Sequence, residues 1–222
     1  MIKYLPFLQK RKYELLLYAL IQHLFIGIFL RDNAFYTKVI WPINMIILGG
    51  ASVGVFIGQS KWKNLIRDFL LFLVFGFPLS LPFFDHVKNF MQIVSIAYVF
   101  FFLFIFWEVA KFLIKPSYIN IDIISASACG YLLLLEISVF LIQIFVYDNP
   151  LSFKGIDTST TAGTYMDIVY FCSITFTSIG FGDITPNLHY TKLMTAIIGI
   201  VGQFYSVVLV GILISKFTSK TN

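Results

Sequence analysis

Six apolar runs of about 20 residues each, divided by short charged breaks, limit this chain more than any other feature. They lie at roughly Tyr13–Leu30, Val39–Gly58, Leu65–Phe84, Met91–Ile114, Ile121–Tyr147 and Tyr190–Phe217. A hydrocarbon core about 30 Å thick takes about 20 helical residues to cross. Within it every backbone N–H and C=O must be satisfied inside the segment, which requires helices or a closed barrel. Only 12% of the residues are charged, against about 25% in ordinary soluble domains. The predicted fold class is an all-α membrane protein with six transmembrane helices. The breaks are marked by Lys61, Lys63 and Arg67, by Asp85-His86-Val87-Lys88, and by Lys115-Pro116. Pro78 and Pro82 blur the end of the third run. Lys10-Arg11-Lys12 before the first run imitates a secretory signal. That run exceeds a signal core of about 7–15 residues, and Arg31-Asp32-Asn33 follows where a small-residue cleavage site would stand, so it reads as a retained helix.

Between the fifth and sixth runs stands Thr177-Ser178-Ile179-Gly180-Phe181-Gly182-Asp183. Gly180 and Gly182 are two apart, and glycine takes left-handed backbone angles without steric cost. Alternating such residues with ordinary ones lets successive carbonyls point the same way. Four chains so arranged around an axis form cages of oxygens that replace a cation's hydration shell. The motif occurs once, so a closed ring needs several copies, most simply a homotetramer. Before it, a stretch from Thr164 to Phe176 predicts a helix over about Tyr165–Thr177, with Thr164 as N-cap and Asp167 completing a capping box. This helix is too short to cross a bilayer and reads as re-entrant. Its C-terminal carbonyls carry partial negative charge and would favour a cation below the loop.

The seven residues resemble the selectivity-filter signature of potassium channels, Thr-Val-Gly-Tyr-Gly-Asp, and the likeness runs from about Thr164 to Phe217. The resemblance implies an ion-binding filter at Thr177, Ser178, Ile179, Gly180, Phe181 and Gly182. Potassium would sit at Ser178, Ile179, Gly180 and Phe181, the Ser178 hydroxyl lining the innermost site. Asp183, Tyr170 and Phe171 would support the filter from behind. Gly202 falls at a hinge of the inner helix, Gly199 is a second flexible point, and Gln203, Ser206, Val210 and Ile214 would face the cavity. The run from Val201 to Val210 resembles the inner helix of bacterial potassium channels. Potassium-uptake transporters of the Trk and Ktr type carry four such loops per chain, whereas this sequence has one. Ser178 for Thr and Phe181 for Tyr resemble the filter of ether-à-go-go-related channels, which tends to inactivate. Tyr170 and Phe171 stand where voltage-gated relatives have paired tryptophans. Phe171 and Phe181 cannot hydrogen-bond to each other, leaving Tyr170 to bond Asp183 and implying a softer filter.

An even number of spans places both termini on one side, and a filter outside makes that side the cytoplasm. Lys3, Lys10, Arg11, Lys12, Lys61, Lys63, Arg67, Lys111, Lys115, Lys216 and Lys220 then lie inside; Arg31, Lys38, Lys88, Lys154 and Lys192 lie outside. This agrees with the positive-inside rule. Residues 1–115 are expected to form a four-helix peripheral domain resembling a voltage-sensor scaffold, and 116–222 the pore domain. The fourth run has no Arg or Lys in its body, only Glu108 and Lys111 near its inner end, so steep voltage gating is not expected. Few residues follow Phe217, and no cytoplasmic ligand-binding domain is identifiable.

The expected function is passive, potassium-selective conduction across the plasma membrane, as in a bacterial cytoplasmic membrane. Membrane lipid and three further copies are the partners; no cofactor, nucleic acid or enzyme activity is expected, and K+ is only the permeant ion. The rival readings are a non-selective or sodium-permeable channel and a non-conducting accessory or sensor subunit. The few polar residues within the spans do not converge by sequence, which sets a membrane enzyme aside. Glu136, mid-helix in the fifth run, should face protein as a hydrogen-bonded structural acid, with proton sensing as the sharper alternative. His23 reads as a packed polar residue. Asp148, Asp157 and Asp167 read as solvated loop acids, with the gathering of cations near the mouth as the sharper alternative. Cys129 and Cys172 are expected as small buried thiols. Gly50, Gly54 and Gly58 line one face of the second run for close helix approach.

Overall fold

Each predicted apolar run is a helix in the computed structural model, which describes residues 10–56, 61–84, 89–114 and 120–218. The readings placed on Lys3, Gly58, Asp85, His86, Val87, Lys88, Lys115, Pro116 and Lys220 lie outside the described residues, as does the side chain of Lys216. Helix α1 is Lys12–Phe25, prolonged by a 3-10 turn at Ile26–Phe29. Asp32 caps a short turn at Asn33–Phe35, and a π turn at Tyr36–Ile40 leads into α2, Trp41–Phe56. Helix α3 spans Lys61–Phe84 and continues through positions 78 and 82. Helices α4, Phe90–Ile114, and α5, Ile121–Asp148, follow, the latter capped by the Asn120 side chain accepting from the Ile123 amide at 3.0 Å. A short helix α6, Thr161–Phe176, and a long α7, His189–Thr218, complete the series.

Five segments among the described residues are long and apolar enough to cross a membrane: Lys12–Phe29, Asn33–Phe56, Phe90–Ile114, Ile121–Asp148 and His189–Gly211. The protein is a multi-pass membrane protein, built almost wholly of helix. Helix α3 falls outside that set; Lys61, Lys63, Arg67 and Asp68 occupy its first two turns.

Helices α4 and α5 make the broadest contact, α1 packs on both α2 and α5, and α6 nests between α5 and α7. The core is aromatic. Phe102 and Phe140 stack at 5.7 Å between centroids, Tyr98 meets Phe140 at 4.8 Å, and Trp41 meets Tyr165 at 5.6 Å. Tyr165 belongs to α6, so the start of this short helix is pinned inside a core shared by α1, α2, α4 and α5. In hydrocarbon such rings stabilise the bundle through close packing rather than through removal from water.

Three readings need correction. The α6 helix begins at Thr161, four residues before the predicted start, because Thr160 is its cap and accepts from the Gly163 amide at 3.0 Å. Thr164 instead donates its hydroxyl to the carbonyls of Thr160 (2.9 Å) and Asp157 (3.0 Å), and Asp167 accepts from the Asp157 amide at 2.7 Å. In α2 the close approach falls on Gly49: a Cβ there would lie 2.5 Å from Phe75 of α3, whereas Gly50 has nothing within 4 Å. Gly49 is buried against α3, Gly50 is exposed, and Gly54 is buried. Third, the intramembrane polar residues do converge. His23 of α1, Glu136 of α5 and Tyr165 of α6 meet in the core, 2%, 0% and 1% exposed.

Candidate functional site

Helix α6 ends at Phe176 and releases the chain into Thr177–Asp183. The Ser178 amide donates to the Thr175 carbonyl at 3.2 Å, and the amides of Ile179 and Gly180 both donate to the Ile174 carbonyl, at 2.9 and 3.3 Å. These bonds tie the start of the loop onto the helix end. Ser178, Gly180 and Gly182 all take positive φ, 58°, 55° and 82°, with Ile179 and Phe181 between them on the ordinary side. The left-handed alternation thus begins one step earlier than the glycines indicate. A serine in that region costs on the order of 1–3 kcal/mol. It is held there partly by Gln203 of α7, whose Nε2 donates to the Ser178 hydroxyl at 2.6 Å and to the Phe176 carbonyl at 3.1 Å.

The outer side of the loop is braced. Tyr170 donates its hydroxyl to Asp183 Oδ2 at 2.7 Å, the contact expected from sequence. That donation holds the Asp183 carboxyl below the usual carboxylate range. Phe171 is 4% exposed and packs edge-on against Phe153 at 5.5 Å. Phe153–Lys154 (β1) pairs antiparallel with Thr185–Pro186 (β2), Phe153 opposite Pro186. Asn187 donates its amide to the Ser152 carbonyl and its side chain to that of Leu151, both at 2.9 Å. Gly155 lies so close to the Asp183 carbonyl that no side chain fits there. The segment after α5 therefore clasps the segment after the loop. Sequence reading missed this clasp, for which Gly155 alone was a signal.

Of the predicted outer acids, Asp148 accepts from Gln92 at 3.1 Å and Asp157 from the Ser159 amide at 2.9 Å. The second bond holds the Asp157 carboxyl below its ordinary range. Cys129 and Cys172 are free and buried.

On the inner side Gly199 and Gln203 border a recess of about 510 Å³ together with Ser178, Ala196, Ile200 and Val207. Val210 and Ile214 lie further along α7, both exposed. Ser206 is half-buried and donates to the Gly202 carbonyl of its own helix at 3.0 Å. Gly202 is buried against Phe176, where an added Cβ would lie 2.8 Å from the ring. Helix α7 is continuous through both Gly199 and Gly202. Ile179 and Phe181 are 55% and 71% exposed in the single chain, and only 11% of the apolar stretch of α7 is buried.

Residues 131–219 match a family model described as "Ion channel". The match begins in the middle of α5 and takes in α6, the loop and all of α7. No curated protein and no solved structure matches the chain.

Proposed function

We propose that this chain belongs to the potassium channel superfamily and is a homotetrameric, potassium-selective channel that conducts passively; the likeness of residues 131–219 to an ion-channel family model supports the reading. One observation carries the reading: left-handed backbone at Ser178, Gly180 and Gly182, at the carbonyl end of a short helix. That alternation turns neighbouring carbonyls to one side, and fourfold repetition builds rings that substitute for water around K+. Ser178, Ile179, Gly180 and Phe181 supply the ion-coordinating oxygens, with Thr177 and Gly182 at the two ends. Helix α6 is the re-entrant pore helix, whose negative end favours a cation in the cavity beneath. Gly199 and Gln203 border that cavity; Ser206, Val210 and Ile214 continue its wall along α7.

Six spans are proposed, with α3 as the third despite its charged first turns and both termini in the cytoplasm of a plasma membrane. Residues 1–115 form the peripheral domain and 116–222 the pore domain, joined through the aromatic core. The exposed face of α7, from Leu193 to Ile214, supports burial against neighbouring copies. Purified protein in liposomes should pass K+ and not Na+, with block by barium. A reversal potential that ignores the K+/Na+ gradient would leave a non-selective channel, and absence of any flux would leave an accessory subunit.

A further inference from the structure

Gln203 of α7 reaches the loop through both hydrogens of its amide nitrogen. Nε2 donates to the Phe176 carbonyl at 3.1 Å and to the Ser178 hydroxyl at 2.6 Å. A backbone carbonyl only accepts, so the first bond settles which end of the amide faces the loop. The backbone that carries Gln203 is fixed on both sides. Gly202 is seated against the Phe176 ring, and Tyr205 donates its hydroxyl to the Ser127 carbonyl of α5 at 2.9 Å. Between the two acceptors, Thr177 turns its own hydroxyl back to the Ser173 carbonyl of α6 at 2.8 Å. Of these two neighbouring hydroxyls, that of Ser178 is the one held from α7.

We propose that Gln203 is the positioning residue of the innermost cation site, keeping Ser178 left-handed and its hydroxyl oxygen in place. The inference rests on the potassium-channel reading and adds to it the residue that sets this site. Gly180 and Gly182 take positive φ without steric cost, whereas serine at φ 58° is strained. Ser178 is therefore the left-handed position that needs a second side chain to hold it. Freed from Gln203, Ser178 relaxes to negative φ, and that rotation about its N–Cα bond swings the preceding peptide and the Thr177 carbonyl with it. The hydroxyl loses its orientation at the same time. While one of its lone pairs takes the amide hydrogen, the other is left for an ion. Removing Gln203 thus disturbs one carbonyl and one hydroxyl oxygen in every subunit.

The test reads ion binding rather than current. Thermal unfolding of the full-length protein in detergent is followed while K+ replaces N-methylglucamine at constant ionic strength, and again with Na+. A bound ion raises the midpoint, so K+ should stabilise the wild type at lower concentration than Na+. Gln203→Met keeps the side chain's length and removes its donor. Gln203 is exposed on the recess, so the variant is expected to fold. Its half-stabilising K+ concentration should rise at least about fivefold, the cost of returning one serine to positive φ. In a Ser178→Gly background the same substitution should shift that concentration by less than about twofold, because glycine takes positive φ unaided. If Gln203→Met lowers the midpoint equally at every K+ concentration, its role is structural only and the proposal is overturned. An equal shift in the two backgrounds overturns it too. A wild type that answers K+ and Na+ alike, or neither, defeats the potassium reading and the proposal with it, so the two failures are told apart.

Discussion

Nδ1 of His23 lies 2.8 Å from the hydroxyl of Tyr165, 142 positions away in the chain, and 3.4 Å from Oε1 of Glu136. This contact joins α1 to the short helix that carries the loop. All three groups are buried, and among the described residues His23 Nε2 has no hydrogen-bond partner. A partly satisfied polar network in an apolar core is costly to disturb, because each orphaned group then bears its own desolvation.

The contact should register as coupling. Tyr165→Phe and His23→Ala are each expected to lower the thermal unfolding midpoint in detergent, and the double variant should lose less than the sum. A coupling of about 1 kcal/mol is expected from a double-mutant cycle. Strict additivity would show that the two groups do not bond. Glu136→Gln separates structure from sensing: an unchanged pH response of the currents discards proton sensing by Glu136.

Acid should loosen the outer brace. The Tyr170 hydroxyl donates to ionised Asp183 and holds its carboxyl below the ordinary range. A carboxyl lowered on folding stabilises above its unfolded range and loses that contribution as pH falls through the lowered value. The brace is therefore intact at neutral pH and fails only under acid, below the ordinary aspartate range. Tyr170→Phe should move the onset of acid-induced current decay upward in pH. It should also hasten decay at low external potassium, and currents indifferent to external potassium would contradict a soft filter.

Gly202 is a packing position. Gly202→Ala places a methyl group 2.8 Å from the Phe176 ring. Overpacking of this kind costs about 1–3 kcal/mol, so the protein's melting temperature in detergent should fall. Adding Phe176→Leu should restore part of it. If Gly202→Ala alone changes opening kinetics without touching stability, the glycine acts as a hinge instead.

Gly180→Ala meets a different penalty. At φ 55° a Cβ faces open space in the single chain, so the cost is conformational. Alanine there is strained by about 1 kcal/mol or more, and relief by returning to negative φ would turn a carbonyl out of line. Potassium flux should be lost while the protein still folds and assembles, as read by size-exclusion chromatography.

Voltage dependence should be shallow. The body of α4 carries no basic residue, and its Lys111 is paired with Glu108 near one end. Each charge crossing the field supplies about 2.3 kcal/mol per 100 mV, so a steep conductance–voltage curve would need charges this helix lacks.

The sequence by itself determined where the helices lie and where the loop falls. Hydrocarbon forces each segment to satisfy its own backbone, so helix position follows from runs of apolar residues and needs no partner. The ends of α4 and α5 agree with the predicted runs to within a residue. The spacing of Gly180 and Gly182 likewise announced a local backbone geometry, since glycine's freedom is a property of the residue. Tertiary structure decided which side chains meet. Ser178 is left-handed in a setting where Gln203, 25 positions on, bonds its hydroxyl. Gly49 rather than Gly50 receives Phe75 because of how α2 rolls against α3, and Thr160 rather than Thr164 caps α6 because both can, and the fold seats the helix's first turn at Thr161. His23, Glu136 and Tyr165 came together for the same reason: contacts between distant positions are set by how helices pack, and no local spacing encodes them.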